Sequence, residues 1–319
     1  MQVQIRRVLC PVDYSEFSRR ALDHATALAR WYDAELYVLH VVPLVIPATV
    51  AAPVAAVIPV GLEPDGPAAE AELQAFIKPA VDAGVPMTPV IRSGSVIAGI
   101  ADSARERQAD LIVIGTHGRS GFERLFLGST AERVLRTAPC PVLTVPWRAE
   151  GLPQEAVLFK RILCPIDFSE ASLCALEYAL VLAKASFGRI QLLHALEVLE
   201  DEPWVPSSFS VPEYRLIRQQ HAEHALKQLV PEDAGMWCEP GTRVATGKAY
   251  RAILHLVEEV QPDLIVMGAQ GSNALDRMLL GSTTHHVVRA APCPVLTVRS
   301  MGSHATPQST ATAMGGVTP

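Results

Sequence analysis

The chain has 319 residues, of which 49% are hydrophobic and 19% charged, and its formal net charge is −6. This length corresponds to about two domains, and the composition excludes an intrinsically disordered protein. The acidic balance argues against a nucleic-acid partner held by phosphate neutralisation. Six cysteines are too few for a disulfide scaffold. The N-terminal segment lacks the apolar core of a secretory signal, so we expect a cytoplasmic protein.

Short apolar runs alternate with helical patterns along the first half of the chain. Strands are predicted at Arg7–Val12, Glu35–Val42, Met87–Arg92, Leu111–Gly115 and Val142–Pro146. The first helix between them is predicted from an apolar face formed by Ala21, Leu22, Ala25, Leu28 and Ala29. The other helices are predicted at Ala68–Ala83, Ser95–Arg107 and Ser129–Thr137. This alternation predicts an α/β fold with a parallel sheet that is covered on both faces. Ligands of such sheets bind beyond the carboxyl ends of the strands.

An uncharged, proline-rich segment follows the second strand. It runs over the 22 residues from Val41 to Leu62, which is long enough to span a bilayer. Four prolines, at positions 43, 47, 53 and 59, would break a spanning helix. We therefore expect a long loop that packs against the protein's own surface or a partner chain, with a membrane-touching loop as the alternative.

The sequence repeats itself with an offset of 154 residues that becomes 153 further along. Arg7–Glu16 returns as Arg161–Glu170, and Ala138–Val145 returns as Ala291–Val298. The apolar helix face also returns, as Ala175, Leu176, Ala179, Leu182 and Ala183. The repeat predicts two tandem domains, at residues 1–147 and 158–299. Residues 148–157 are the predicted linker, and residues 300–319 a disordered tail.

Each repeat has the same glycine spacing directly after its fourth strand. The run Gly115-Thr116-His117-Gly118 is followed, after nine residues, by Gly128-Ser129-Thr130. Its counterpart is Gly268-Ala269-Gln270-Gly271, nine residues, and Gly281-Ser282-Thr283. Glycine permits positive φ and a close approach to the backbone, and free N–H groups at a helix start bind anions. The spacing predicts a phosphate-binding loop in each repeat. In the alternative, Gly118 forms a turn and Ser129 is a plain N-cap.

The pattern Gly-x2-Gly-x9-Gly-Ser/Thr, preceded by Pro-x-Asp and followed by Ala-Pro-Cys-Pro-Val-Leu-Thr-Val, resembles the ATP-binding branch of the universal stress protein family in its tandem form. The resemblance implies two five-stranded parallel α/β sandwiches of the Rossmann-like, adenine nucleotide alpha hydrolase-like class. It implies ATP as the ligand, and we expect Mg2+ with it. It also implies that Val142–Val145 and Val295–Val298 can pair within one chain, as a pseudo-dimer that hides both edges. Two such chains could then form a homodimer.

The resemblance further implies site residues in both repeats. The strand-one turn would flank adenine and ribose, through Pro11, Val12 and Asp13 or through Pro165, Ile166 and Asp167. The backbone of Val41 or Ala195 would meet the adenine edge. Ribose and phosphates would be wrapped in the first repeat by Gly115, Thr116, His117, Gly118, Arg119, Gly121, Gly128, Ser129, Thr130 and Ala131. The matching residues of the second repeat are Gly268, Ala269, Gln270, Gly271, Gly281, Ser282, Thr283 and Thr284.

Two features limit these assignments. Asp13-x-x-Glu16 also fits a helix-capping arrangement, which is compatible with a sugar contact. His117 and Arg119 could meet phosphate charge, whereas Gln270 and Ser272 replace them in the second repeat. We therefore expect the first site to be stronger, or the two sites to differ in ligand.

The sequence contains no nucleophile–base–orienter set and no assigned metal ligands. The resemblance implies nucleotide-dependent regulation in a stress response, through a protein partner that the sequence does not identify. The missing catalytic set implies slow or no hydrolysis. One alternative is a weak ATPase in which Asp13 or His117 orients water. The other is a nucleotide-free interaction module in which the glycines only shape loops.

Overall fold

The structure is a computed structural model that describes residues 3–43, 66–82, 84–118, 127–149, 159–197, 211–271 and 280–300. We call residues 3–149 unit 1 and residues 159–300 unit 2. The proline-rich loop from residue 44 onward, the predicted linker from residue 150 onward, and the tail after residue 300 lie outside the described residues. Within the described ranges, no helix combines the length and apolarity needed to cross a bilayer.

Unit 1 has the predicted order of strands and helices. It contains β1 (Arg7–Pro11), α1 (Glu16–Tyr32), β2 (Glu35–Val42), α2 (Gly66–Asp82), β3 (Met87–Ser93), α3 (Val96–Glu106), β4 (Leu111–Gly115), α4 (Ser129–Thr137) and β5 (Val142–Val145). The predicted elements are confirmed, and where both predicted ends are described, each end coincides or differs by one residue. The predicted helix end at Ala83 lies outside the described residues.

Unit 2 repeats this order. It contains β6 (Arg161–Pro165), α5 (Glu170–Ser186), β7 (Arg189–Leu196), α6 (Val211–Gln228), β8 (Glu239–Thr246), α7 (Ala249–Val260), β9 (Leu264–Gly268), α8 (Ser282–Ala290) and β10 (Val295–Val298). A short 3-10 helix, Ala234–Met236, precedes β8. The two units therefore share one α/β architecture, as the sequence repeat predicts.

The strands of each unit are parallel, and their order in unit 1 is β3-β2-β1-β4-β5. Alternate strand residues face opposite layers: Val8 and Cys10 pack in one apolar core and Leu9 in the other. The predicted apolar face of α1 is buried in the first of these cores. Both cores contain residues of both units, so the hydrophobic interior continues across the unit boundary.

The two sheets join into one ten-stranded sheet through antiparallel pairing of β5 with β10. Leu143 lies opposite Leu296 at the centre of this seam. On either side, Thr144 Oγ1 donates to the carbonyl of Val295 at 3.1 Å, and Thr297 Oγ1 donates to the carbonyl of Val142 at 3.2 Å. The predicted intrachain pseudo-dimer is confirmed. Because β5 and β10 pair with each other, each of them has a neighbouring strand on both sides.

Strand order reverses between β1 and β4 in unit 1 and between β6 and β9 in unit 2. In parallel α/β sheets, the crevice at such a reversal, beyond the carboxyl ends of the strands, is where ligands bind. The Pro-x-Asp turn follows β1, and the glycine loop follows β4. The fold therefore brings the two motifs of each repeat to the same place.

Candidate functional site

The Pro-x-Asp turn is tied to the neighbouring strand by two hydrogen bonds in each unit. In unit 1, the Val12 N–H donates to the carbonyl of Leu39 at 2.8 Å, and His40 Nδ1 donates to the carbonyl of Val12 at 2.9 Å. In unit 2, the corresponding Ile166 bonds are 2.8 Å and 2.7 Å long, the second from His194. Because these bonds use the backbone groups of Val12 and Ile166 within the fold, the two residues can contribute mainly packing to a ligand.

Asp13 supports the start of α1 without capping it directly. Its Oδ1 accepts hydrogen bonds from the Ser15 N–H at 3.1 Å and from Ser15 Oγ at 2.5 Å. Ser15 is the N-cap, since its hydroxyl accepts the Ser18 N–H at 3.1 Å. The expectation that Asp13 itself forms the cap with Glu16 is wrong, because the serine lies closer to the free amides of the first turn.

The same arrangement recurs in unit 2. Asp167 Oδ1 accepts the Ser169 N–H at 3.0 Å and Ser169 Oγ at 2.5 Å, and Ser169 caps α5. In both units the second carboxylate oxygen faces the glycine loop. A Cβ on Gly118 would lie 2.8 Å from Asp13 Oδ2, and a Cβ on Gly271 would lie 2.9 Å from Asp167 Oδ2. The structure thus brings each predicted aspartate against the second glycine of its loop.

The motif needs glycine at its first two glycine positions, because a side chain there would collide with neighbouring atoms. The expectation that the motif glycines adopt positive φ is wrong for those in the described residues, since none of them has a positive φ. A Cβ on Gly115 would lie 3.0 Å from the Phe17 carbonyl oxygen, and one on Gly268 would lie 2.9 Å from the Ser172 nitrogen. These first glycines let the helix after strand one approach the end of strand four. The second glycines leave room for the aspartates.

The third glycine closes the loop and begins the next helix. The Gly128 N–H donates to the Thr116 carbonyl at 2.8 Å, and the Gly281 N–H donates to the Ala269 carbonyl at 2.9 Å. Gly128 and Gly281 are themselves the N-caps of α4 and α8. The alternative that Ser129 is a plain N-cap is therefore wrong. With no side-chain cap at either position, the first amides of both helices are available to another acceptor.

The residues of the first turn differ in what they can offer. Ser129 and Ser282 are exposed, Thr130 and Thr283 are half-buried, and Ala131 is buried. The Thr284 hydroxyl donates to the Gly268 carbonyl at 2.8 Å, so it belongs to the fold. Because the proton of that hydroxyl is used, Thr284 would donate to a ligand through its backbone amide.

Unit 2 contains a cavity of about 720 Å³ in which the two motifs meet. It is lined by the predicted residues Pro165, Ile166, Asp167, Ala195, Gly268, Gln270, Gly271, Gly281, Ser282, Thr283 and Thr284. Ala269 is buried beside it, and its N–H donates to the Val298 carbonyl at 2.7 Å. A volume of this size lies within the range of small-ligand and cofactor sites.

His117 is the most distinctive polar group of the unit 1 loop. Its Nδ1 lies 2.9 Å from Thr116 Oγ1, and its ring centroid lies 5.4 Å from that of Phe17. Its Nε2 is buried, and no described residue hydrogen-bonds to it. Burial lowers the pKa of this imidazole below its ordinary value, so the ring is neutral at pH 7. Arg119 and Gly121, which were predicted beside it, lie outside the described residues.

Val41 and Ala195 occupy equivalent places near the ends of β2 and β7, but their surroundings differ. Val41 is buried, and its Cγ2 would lie 3.0 Å from a Cβ on Gly99 of α3. Ala195 is half-buried and lines the unit 2 cavity. Only the second residue is shown beside a described cavity.

Several site residues are absent from the motif-based prediction. Tyr14 and Phe168 follow the two aspartates with φ values of 66° and 61°. Bulky side chains are rare in this conformation, and such outliers concentrate at functional sites. The Tyr14 ring stacks on His40 at 4.3 Å between centroids, and Phe168 contacts His194 at 4.9 Å. Recurrence of an aromatic residue and of a histidine in both repeats is the signal that could have identified them.

Two charged residues of the unit 2 cavity were also not predicted. Glu197, directly after β7, and Arg218, in the middle of α6, both line it. Neither belongs to the repeated motifs, because position 43 of the first repeat is a proline and α2 contains no arginine. The sequence motifs therefore indicate neither residue. The fold brings them together by placing α6 beside β7.

Comparison with known proteins supports the same grouping. The model of the Universal stress protein family matches the chain twice, over residues 4–146 and 158–299. Universal stress protein MJ0531 from Methanocaldococcus jannaschii is 37% identical over 144 residues, which cover 44% of this chain and 81% of that protein. A universal stress protein from Mycolicibacterium smegmatis is 26% identical over 298 residues, which cover 92% of this chain and 96% of that protein.

The similarity extends to a solved fold. The crystal structure of a universal stress protein from Archaeoglobus fulgidus superimposes with a TM-score of 0.64 at 24% identity, covering 92% of this chain and 98% of that chain. That structure and the mycobacterial relative each span both units. The double match of the family model, over nearly all of the described chain, shows that this protein belongs to the universal stress protein family and carries two tandem copies of its domain.

Proposed function

We propose that each unit binds ATP together with Mg2+, and that occupancy regulates the contact of this protein with a partner during a stress response. The observation that carries the proposal is the unit 2 cavity. Segments more than a hundred residues apart, the Asp167 turn and the Ser282–Thr284 helix start, line one space of about 720 Å³. Both motifs recur in unit 1 with the same aspartate–glycine contact.

The geometry suggests how the ligand is held. The base would lie by Ala195, and Asp167 would accept hydrogen bonds from ribose hydroxyls. The free N–H groups at the start of α8 would bind phosphate oxygens, helped by the positive end of the helix dipole. In unit 1, Asp13 and the start of α4 would act in the same way.

Mg2+ would be held mainly by the phosphates. The described residues contain no group of three or more His, Cys, Asp or Glu side chains suited to a metal ion. The hydroxyls of Ser129 and Thr130, or of Ser282 and Thr283, lie at the helix starts, where the phosphates are expected. Such hydroxyls suit Mg2+, which retains several water ligands and is commonly bound through phosphates.

Slow hydrolysis is the second candidate activity, and His117 is the observation in its favour. A buried imidazole nitrogen without a described partner could orient a water toward the terminal phosphate. The expected rate is low, because Asp13 Oδ1 is already engaged with Ser15. Phosphate release that disappears in His117→Gln, while ATP binding persists, would establish this activity.

Thermal unfolding with and without ATP tests the main proposal against a nucleotide-free module. A ligand at 100 times its dissociation constant stabilises the folded state by about 2.7 kcal/mol per site. We expect a rise in the unfolding temperature with ATP and Mg2+, and none with equal concentrations of inorganic phosphate. An unfolding temperature that ATP does not change at millimolar concentration would favour the interaction module.

A further inference from the structure

The unit 2 cavity has an uneven charge distribution. Of the residues that line it, Arg218 is the one lysine or arginine, whereas Asp167 and Glu197 both carry carboxylates. Glu197 Oε1 lies 3.4 Å from the Ala249 nitrogen, at the start of α7. The positive end of that helix partly balances the Glu197 charge. A polyanionic ligand in this cavity would therefore meet a single cationic side chain among the residues described there.

The glycine loops of the two units differ in their basic side chains. The unit 1 loop carries His117 and Arg119, and the unit 2 loop has Gln270 and Ser272 instead. Arg124 of the unit 1 loop is matched in the repeat by Arg277 of the unit 2 loop, so this pair does not change the difference in charge between the two loops. The unit 2 loop has thus lost one permanent positive charge and one titratable ring.

The helix over the cavity shows the opposite change. The only basic residue of α2 in unit 1 is Lys78, which pairs with Asp82 at the end of the helix at 3.2 Å. Helix α6 of unit 2 carries Arg218 near its middle, half-buried and in the cavity wall. Its guanidinium carbon lies 6.0 Å from the centre of the Tyr214 ring, one turn earlier. Unit 2 therefore has a cavity-lining positive charge on α6, and its glycine loop lacks the charge that Arg119 provides in unit 1.

We propose that Arg218 binds a phosphate group of the nucleotide in unit 2, in place of the loop cations of unit 1. The inference rests on the proposed nucleotide binding and adds a residue outside the motif. An arginine fork forms two parallel hydrogen bonds to phosphate oxygens, which a neutral glutamine cannot replace. The phosphates in unit 2 then lie between the start of α8 and α6, and the site selects phosphorylated ligands over the free nucleoside.

The test measures ligand affinity at unit 2 alone, in the full chain with Gly118→Val to block unit 1. Adenosine, AMP, ADP and ATP are titrated against this parent and against the added changes Arg218→Gln and Arg218→Lys. Arg215→Gln is the matched control, because Arg215 is exposed on the same helix. Circular dichroism and thermal unfolding verify that each variant is folded.

We expect Arg218→Gln to weaken AMP, ADP and ATP binding about tenfold or more and to leave adenosine binding unchanged. Arg218→Lys should restore part of the affinity, and Arg215→Gln should change none of the four. Equal losses for adenosine and ATP would overturn the inference by assigning Arg218 to packing or base stacking. Unchanged affinities in a parent that binds ATP would also overturn it. A folded parent that binds none of the four ligands would instead refute nucleotide binding in unit 2.

Discussion

Asp13 and Gly118 face each other across the carboxyl end of the unit 1 sheet, so closely that a methyl group on the glycine would lie 2.8 Å from Asp13 Oδ2. The pair joins the turn after β1 to the loop after β4, which are the two segments proposed to hold ribose and phosphates. Asp167 and Gly271 repeat it at 2.9 Å. This contact gives a physical reason for the second glycine of the motif in both units.

Gly118→Ala should therefore damage the unit 1 site. The added methyl group would lie 2.8 Å from Asp13 Oδ2, so the carboxylate must move away from the place where it would bind ribose. We expect ATP affinity in unit 1 to fall at least tenfold, while unit 2 retains its affinity, measured by calorimetric titration. Gly235→Ala is the control, because nothing lies within 4 Å of a Cβ at that position. If Gly118→Ala binds two ATP with unchanged affinity, the contact has no role in binding.

ATP binding in unit 1 should depend on pH through His117. In the free protein, burial lowers the pKa of this imidazole, so the ring is neutral near pH 7. A phosphate beside the ring favours its charged form, so binding takes up a proton and affinity increases as pH falls below 7. Glu132, in the first turn of α4, is held by Arg136 at 2.7 Å.

The increase is at most about tenfold per pH unit, the limit for one linked proton. It is measured by titrating ATP between pH 7.5 and 6 in a Gly271→Val variant, so that only unit 1 binds. His117→Gln should abolish the dependence. The Gly118→Val variant, in which only unit 2 binds and Gln270 takes the place of His117, is the control. A dependence that persists in His117→Gln would assign it to another group.

The seam threonines should stabilise the joined sheet. Thr144→Val and Thr297→Val keep the side-chain shape but remove the hydroxyls that donate to Val295 and Val142. A net loss of about 1 kcal/mol of unfolding free energy per buried hydrogen bond is typical. Thr137→Val removes a similar bond, at 2.9 Å to the Arg133 carbonyl, at an exposed position. Urea unfolding should show a larger loss for each seam variant than for Thr137→Val, and equal losses would refute the assignment.

His24 should make stability depend on pH. It is 1% exposed, its Nδ1 donates to the Arg20 carbonyl at 2.9 Å, and burial lowers its pKa below 6.5. The unfolded chain therefore binds this proton before the folded chain does. The stabilisation is complete above pH 6.5 and is lost as the pH falls through the lower folded-state pKa. His24→Gln should reduce the slope of unfolding free energy between pH 7 and pH 5, and an unchanged slope would contradict this role.

Much of the fold was predictable, because the apolar periods were strong and occurred twice. The family resemblance, applied to the repeated Val-Leu-Thr-Val segment, predicted even the β5–β10 seam. The glycine spacing correctly predicted that the first glycine lies at the end of a strand and the third at the start of a helix in both repeats. The physical reason predicted for the glycines was only partly correct. The described motif glycines provide space for Asp13, Asp167 and neighbouring helices, and they do not adopt positive φ.

The remaining site residues depended on tertiary placement. Tyr14 has a positive φ that no local preference of tyrosine predicts. Arg218 lies on α6, the helix whose sequence differs most between the repeats, so no motif pointed to it. Its place in the cavity wall becomes evident only when that helix packs beside β7.

The central claim is that both units bind nucleotide, and the stoichiometry of ATP binding tests it most directly. Equilibrium dialysis with ATP and Mg2+ would be performed on the unaltered protein and on Gly118→Val and Gly271→Val. The account predicts two ATP per chain, with one lost in each variant because each side chain collides with its aspartate. Absence of bound ATP from the folded, unaltered protein at millimolar ligand would contradict it.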